Sequence, residues 1–409
     1  FVFFNFDIYL MYMKIGINAS FLRKQNTGIG QVSANFLKEL VEFSSTKLQI
    51  ANNKEFEFVL YLEEDTDLGL LGDIAFSKVK FQKKVFLPKH YKRDDLFRKI
   101  WWEKVLLPKK VNQDDCDVLL SLYQCPTSLN KNKKKIKHIM IVHDIIPKLF
   151  PTYLNNWRKK AYQRLTEKAI SKADKIIAVS HRTEKDLIQH LGIDAGKITV
   201  SYIDVDEIYK KDVSEKESAR VLKKYKLEKG YIYNGGGLEV RKNSEGVLRA
   251  YKILLDEYGY TGKIPKLVVS GKMMPELAPL VTDVAQLVEG LDLQKHVVLL
   301  DYVPQEDLPA LYRNSKFFVY PSLYEGFGLP VLEAMNQAVP TITSKTSSLP
   351  EVGVDAVLYC NPHSVDDLAM VMKNMIMNDH LQAALSLKAK ERASHFSWDK
   401  FIEKILNVV

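Results

Sequence analysis

The chain reads as an α/β protein folded in two halves, each on a parallel sheet, and three features of the sequence carry that reading. Its 409 residues exceed what a single hydrophobic core ordinarily serves. Short runs rich in β-branched and aromatic residues alternate with helical or polar stretches along its length, the pattern of strand, crossover helix and strand. Several of those runs end in a glycine-bearing turn that opens a helix, the point where a parallel sheet admits a ligand.

Composition narrows the class. Apolar residues are 46% and charged residues 27% of the chain, the balance of a soluble globular enzyme and not of a disordered segment. Cys116, Cys125 and Cys360 share no metal-ligand spacing, so neither a disulfide framework nor a zinc site is expected, and a reducing cytoplasm suits the chain. A net charge of +9 implies an anionic partner: nucleotide, membrane surface or nucleic acid. The opening FVFFNFDIYLMYM is apolar but short, interrupted by Asn5 and Asp7 and without a basic flank, so it fits neither a secretory signal nor a membrane span. The natural start is expected at Met11 or Met13, and no later apolar run reaches the length of a span.

In chain order, residues 14–18 form the first strand and residues 30–43 a helix with Val32, Phe36, Leu37 and Leu40 on one face. Between them NTGIG places Gly28 and Gly30 where a phosphate or acceptor group could approach the backbone, although a plain helix-starting turn uses glycine as readily. Strand-length runs follow at 57–62, 118–122, 136–142, 175–179 and 198–202. DDLFRKIWWEKVLL, residues 94–107, has helical spacing with Lys and Arg around it; it reads either as a domain-packing helix or as one lying on an anionic membrane. KNKKKIK, residues 131–137, reads as a solvated loop. His143 and Asp144 follow the strand 136–142 directly, at a carboxyl edge, where a histidine is either a hydrogen-bonded structural group or a ligand contact. The chain turns polar and lysine-rich over 204–230, which places the link between the halves there. Asp204 and Asp206 form an Asp-x-Asp triplet, but similar triplets at 65–67 and 115–117 show how readily the pattern arises, and no metal is assigned to it.

The second half opens with a strand at 231–233, a turn at 234–237, and Arg241 and Lys242 just before a helix that begins near Asn243. Two cations at a helix start oppose its dipole unless an anion sits there, and a pyrophosphate would reverse that cost. Further strands fall at 267–271 and 297–304, with a helix over 304–313. Residues 316–335, KFFVYPSLYEGFGLPVLEAM, combine a buried strand to Ser322, a glycine loop and a helix opened by Pro330. Gly326, Phe327, Gly328 and Leu329 bring backbone close to a phosphate at the helix start. Glu325 and Glu333 flank that spot, with Glu333 roughly 4.5 Å along the helix from Pro330 at 1.5 Å per residue. A carboxylate offers two acceptor oxygens to a diol, so a sugar at Glu325 and a ribose at Glu333 are expected. FSWDKFIEKIL closes the chain as a helix capped by Ser397.

EGFGLPVLEAM resembles the paired-glutamate signature of retaining glycosyltransferases of the two-domain GT-B type, family 4, and the likeness extends over roughly residues 14–405. The resemblance implies two Rossmann-like domains with parallel sheets facing a central cleft: residues 13–205 binding the acceptor, 206–395 binding the nucleotide sugar, and 396–409 a helix crossing back to the first domain. It implies that Glu325 and the loop amides hold the donor sugar, that Glu333 binds the nucleotide ribose, and that the backbone near Val303 meets the base. It implies also that Arg241 and Lys242 bind the diphosphate, that His143 in HDIIPKLFP contacts the transferred sugar, and that NTGIG is the amino-terminal glycine loop. Departures from the family pattern are Gly236, where some members carry a further Arg, Ala338 in place of a usual glycine, and Tyr202-Ile203-Asp204 in place of a Pro-Asn-Gly turn. No cofactor or metal is implied beyond the nucleotide-sugar co-substrate. NTGIG, WWEKVLLPK and HDIIPKLFP together look most like bacterial mannosyltransferases that use GDP-mannose in surface polysaccharide or lipopolysaccharide synthesis, with UDP-glucose, UDP-galactose or UDP-N-acetylglucosamine as alternative donors. The implied partners are a saccharide or polyprenyl-linked saccharide acceptor and an anionic membrane touched peripherally from the cytoplasm, and not nucleic acid. From other classes, GGGLEV admits a nicotinamide oxidoreductase, and a nucleotide-sugar binder without turnover would keep every donor contact; the first lacks a third phosphate-loop glycine at the right spacing.

Overall fold

The computed structural model describes residues 11–25, 27–46, 54–63, 66, 69, 81–85, 95–129, 135–258 and 264–409. Residues 1–10 of the apolar start, the basic flank 87–93, Asp65, Asp67 and the lysines of 131–134 lie outside the described residues. The chain divides into two compact units: unit 1 takes residues up to Ile203 together with Trp398–Val409, and unit 2 takes Asp204–Ser397.

Unit 1 is built on seven strands: β1 (Met11–Asn18), β2 (Lys54–Leu62), β3 (Phe81–Val85), β4 (Val118–Ser121), β5 (Lys137–Val142), β6 (Lys175–Ala178) and β7 (Ile198–Val200). Their order in the sheet is β3-β2-β1-β4-β5-β6-β7 and every pairing is parallel. The central strands are buried on both faces, which is why β4 and β5 read as unbroken apolar runs. β3, FQKKV, sits at the sheet edge, and its two lysines break the apolar pattern that marks the other strands in the sequence. The first helix is Gly28–Thr46, two residues earlier than expected, and a 3-10 turn Ser20–Lys24 separates it from β1. Val32, Phe36, Leu37 and Leu40 are all buried, the face its spacing predicted. The helical stretch beginning at Asp95 runs through a π-helical turn, Trp102–Leu106, into Leu107–Gln113. Trp102, Leu107 and Val111 enter a core with Val59, Tyr61 and Leu119, while Phe97 and Val105 stay on the surface. The stretch is thus a packing helix along one side only.

The closing helix, Trp398–Val408, belongs to unit 1. Its Phe401 ring meets Phe36 edge-on at 6.0 Å, and Lys404 donates to the Val200 carbonyl at 2.9 Å. The crossing back expected of this segment is therefore present.

Unit 2 carries β8 (Tyr231–Asn234), β9 (Leu267–Ser270), β10 (Val297–Leu300), β11 (Ser315–Tyr320), β12 (Thr341–Ser344) and β13 (Leu358–Cys360) in the order β10-β9-β8-β11-β12-β13, all parallel. Chain order reverses between β8 and β11, and between β1 and β4 in unit 1, so each sheet has one switch point at its carboxyl edge where flanking loops part and leave a crevice. The helices Ser244–Tyr258 and Val365–Met377 cover one face through Val247, Tyr251, Leu254, Leu368 and Met372. Among the described residues no helix is long and apolar enough to cross a membrane.

Candidate functional site

Of the residues singled out in unit 2, Arg241, Lys242, Glu325, Gly326–Leu329 and Glu333 lie on the segments that follow β8 and β11 at its switch point, whereas Val303 follows the edge strand β10. β8 ends at Asn234 and gives way to Gly235, Gly236 and Gly237, the last two at φ +93° and +107°, and then to a 3-10 turn, Val240–Lys242. β11 ends at Tyr320, two residues before the expected stop, and leads through Pro321–Gly328 into the helix Leu329–Asn336. Leu329 opens that helix with Pro330 second, one place later than the sequence indicated, and Gly328 at φ +115° lies where a Cβ would be 2.7 Å from Leu349. The two loops are stitched together. The amide of Leu323 donates to the Arg241 carbonyl at 2.7 Å, the Ser322 hydroxyl oxygen lies 2.9 Å from the same carbonyl, and Arg241 donates to the Tyr324 carbonyl at 3.0 Å.

Arg241, Lys242 and Glu325 meet directly. The Arg241 guanidinium and the Lys242 ammonium each lie 2.8 Å from Oε1 of Glu325. The same oxygen accepts from the hydroxyls of Tyr320 and Ser322, both at 2.7 Å, and Lys242 also donates to the Tyr320 hydroxyl. Glu325 thus faces both cations, and its single charge offsets one of the two. Burial pushes the Glu325 carboxyl up, but Arg241 and Lys242 outweigh it and hold the group at about 2. Burial and the neighbouring Arg241 lower Lys242, with Glu325 opposing them. The donations from Lys242, Tyr320 and Ser322 all fall on Oε1 of Glu325.

Glu333 is buried in the second turn of the helix Leu329–Asn336 and accepts from the Tyr312 hydroxyl at 2.9 Å. Burial raises it to about 7 against the pull of Tyr312, Lys242 and Tyr209. The glycine loop is fixed from behind: Ser348 donates to the carbonyls of Glu325 and Phe327 at 2.9 and 2.7 Å, and the Glu325 amide donates to Ser347 at 2.9 Å. Phe327 is buried with its ring edge-on to Phe396, and Val303 is buried just past β10. Gly236, the position of the extra family Arg, has Pro330 and Tyr320 at 2.8 and 3.0 Å from where a Cβ would lie, so this backbone holds no larger residue there. Tyr312, Tyr320, Ser322 and Ser348 went unnoticed in the sequence. The available signal was a tyrosine ending an otherwise apolar strand, since a buried phenol requires a partner.

In unit 1, His143 follows β5 and is buried, its Nε2 2.9 Å from the Leu122 carbonyl. Burial lowers its pKa; because the carbonyl can only accept, the neutral ring carries its proton on Nε2 and leaves Nδ1 as an acceptor. Gly28 is exposed, with open space where its Cβ would be. Gly30 is buried with the Lys24 carbonyl oxygen 2.0 Å from that position, so packing of the chain on itself already requires glycine there. The Asp-x-Asp triplet is engaged locally: Asp204 meets Lys210 at 2.8 Å, and Asp206 accepts from the Ile208 amide at 2.9 Å. No group of three or more potential metal ligands occurs among the described residues. A buried carboxylate that the sequence reading missed, Glu103, accepts from Tyr123 and Tyr162 at 2.6 and 2.9 Å near the ends of β1 and β4.

A family model described as Glycosyl transferases group 1 matches residues 215–392, and one described as Glycosyltransferase Family 4 matches residues 78–206. The chain is 34% identical over 267 residues to the O-antigen chain mannosyltransferase B of Escherichia coli, covering 65% of this chain and 68% of that one. It is 32% identical over 268 residues to a serotype-specific mannosyltransferase WbdA of the same species, covering 64% of this chain but only 32% of that longer protein. Among solved structures, Anabaena Alr3699/HepE in complex with UDP-glucose superposes with a TM-score of 0.70 at 16% identity, covering 97% of this chain and 100% of that one. At that identity the likeness speaks for the fold alone.

Proposed function

The chain is a glycosyltransferase of family 4, with the GT-B fold, and from that premise we propose that it moves mannose from GDP-mannose onto a saccharide or polyprenyl-linked saccharide of a bacterial surface polysaccharide, retaining the anomeric configuration. The observation that supports this most is the meeting of Arg241, Lys242 and Glu325 at the switch point of the second sheet. In the proposed step, the bond between the anomeric carbon and the β-phosphate oxygen breaks and its electron pair leaves with the nucleoside diphosphate. The acceptor oxygen bonds to the same face of that carbon, and its proton passes to the departing phosphate. Arg241 and Lys242 stabilise the growing negative charge, so no metal is needed for that task. Glu325 keeps Oε1 on the cations and offers Oε2 to hexose hydroxyls. Glu333 accepts from the ribose diol, the loop Gly326–Leu329 presents backbone to the phosphates, and Val303 flanks the base. In unit 1, His143 accepts a sugar hydroxyl through Nδ1, and the segment holding Gly28 and Gly30 belongs to ligand binding. Three buried free cysteines are compatible with a cytoplasmic site of action.

Thermal shifts with GDP, UDP, GDP-mannose, UDP-glucose and NAD, followed by transfer from the stabilising donor and NMR of the product anomer, test the reading. GDP and GDP-mannose should stabilise, and Lys242→Ala should lower kcat about 100-fold through lost leaving-group stabilisation. Stabilisation by UDP alone would move the donor to a UDP-hexose. Stabilisation by NAD alone, or an unchanged rate in the variant, would overturn the assignment.

A further inference from the structure

Tyr209 stands at the end of the 3-10 turn Glu207–Tyr209, just past the boundary between the two units, and is 1% exposed. The helix that carries Glu333 also holds this turn. Gln337, which ends the helix Leu329–Asn336, donates from Nε2 to the Tyr209 carbonyl at 2.6 Å and to the Lys211 carbonyl at 3.1 Å. The Tyr209 ring meets the Tyr312 ring edge-on at 6.2 Å, and Tyr312 is the phenol that donates to Glu333. Backbone and ring are therefore both fixed beside Glu333, one by the helix that bears it and the other by its hydrogen-bond donor.

The Tyr209 hydroxyl is not fixed in this way. It is buried and faces the Glu333 carboxyl, yet makes no hydrogen bond among the described residues. Packing asks only for the ring, and phenylalanine would fill the same space without the cost of a dehydrated, unpaired O–H. Burial favours the neutral acid of Glu333, a weaker acceptor than the carboxylate. Once ionised, the group offers about four lone-pair sites. A diol takes two of them, Tyr312 takes one, and Tyr209 carries a donor for the last. The other ionisable groups facing Glu333 are Lys242, which favours the carboxylate, Asp206, which opposes it, and the phenol of Tyr233.

We infer that Tyr209 is a positioning residue for the nucleotide ribose: its hydroxyl donates to Glu333 when that carboxylate grips the 2′,3′-diol, and so strengthens the preference for a ribonucleotide. The inference rests on the ribose role proposed for Glu333 and adds a residue to it. The full chain, Tyr209→Phe, Glu333→Gln and the double variant are titrated calorimetrically from pH 6 to pH 8.5 with GDP, UDP and the 2′,3′-dideoxy form of each. Tyr209→Phe should melt at or above the temperature of the parent, since it deletes an unpaired polar atom. At pH 7 it should bind the preferred diphosphate about tenfold more weakly, the worth of one hydrogen bond to a charged group, and bind the dideoxy form as the parent does. The rise of its affinity with pH should have its midpoint at higher pH than in the parent, because a donor to the ionised carboxylate has been removed. In the Glu333→Gln background the same substitution should cost about twofold at most. Equal weakening of the ribose and dideoxy forms, with a lower melting point, would make Tyr209 a packing residue and overturns the inference. A parent that binds neither diphosphate better than its dideoxy form sinks the ribose role of Glu333 and this inference with it. A parent that shows the preference, kept in full by Tyr209→Phe, sinks this inference alone.

Discussion

Glu333 and Glu325 are both buried carboxylates of unit 2, yet their surroundings drive them to opposite ends of the acid range. Glu333, whose burial outweighs the pull of Tyr312, Lys242 and Tyr209, is lifted to about 7, whereas Glu325, with two cations on one oxygen, is held at about 2. An unfolded glutamate titrates near 4.5. Between about 4.5 and 7 the folded chain keeps a proton on Glu333 that the unfolded chain has released, so that group's contribution to stability is full below 4.5 and declines as pH rises through 7. Glu325 acts the other way, its contribution full above 4.5 and lost as pH falls toward 2. A ribose diol needs the ionised form of Glu333, so nucleotide affinity should strengthen about tenfold from pH 6 to pH 8.5 and then level off. Calorimetric titration across that range measures it, and Glu333→Gln should bind weakly with a flat profile; a flat profile in the parent would contradict the ribose role. The charged members of this site were legible in the sequence because they stand beside glycine loops in chain order. Tyr312, Tyr320 and Ser348 were not, because each hydroxyl finds its partner only once separate segments have packed, and nothing in the local pattern of Ser347–Leu349 marks a brace for a loop twenty residues earlier.

At the scale of elements, the loops were readable in position and less so in their limits. Glycine loops and apolar strands announce themselves, but β3 is marked by charge and the first helix begins at Gly28, a residue whose propensity argues against it. Ala338 shows what a departure from the family pattern does. It follows the helix Leu329–Asn336 with φ +55°, a left-handed conformation that a Cβ penalises by about 1–2 kcal/mol and glycine does not. Part of that gain is offset by the greater freedom of glycine in the unfolded chain. Ala338→Gly should therefore stabilise the protein by about 0.5–1 kcal/mol in urea unfolding without altering donor affinity; a loss of stability would mean that the Cβ makes contacts outweighing the strain.

For the whole molecule, the α/β class followed from alternation; the two units divide between Ile203 and Asp204, where the chain turns polar after β7. Membership of the last helix in unit 1 did not follow from periodicity, which states only that one face of a helix is buried and never against what; the family resemblance supplied it. Phe401, Ile402 and Ile405 are buried in unit 1, and three such side chains represent about 5–9 kcal/mol of hydrophobic stabilisation, comparable with the net stability of a whole domain. A chain ended at Ser397 should keep a cooperative transition for unit 2 while unit 1 loses its own and becomes sensitive to protease. Calorimetry with limited digestion reads both, and two intact transitions would sink the idea.

That same helix sets a clock during synthesis. Unit 1 leaves the ribosome first but lacks a wall until Trp398–Val408 emerges, and the roughly 190 residues of unit 2 come in between. At about 5–20 residues per second the wait is about 10–40 s, during which Phe36 and its neighbours have no cover. The half begun earliest is finished last, so nascent chains of this protein should lean on holdase chaperones through Phe36 and the surface around it.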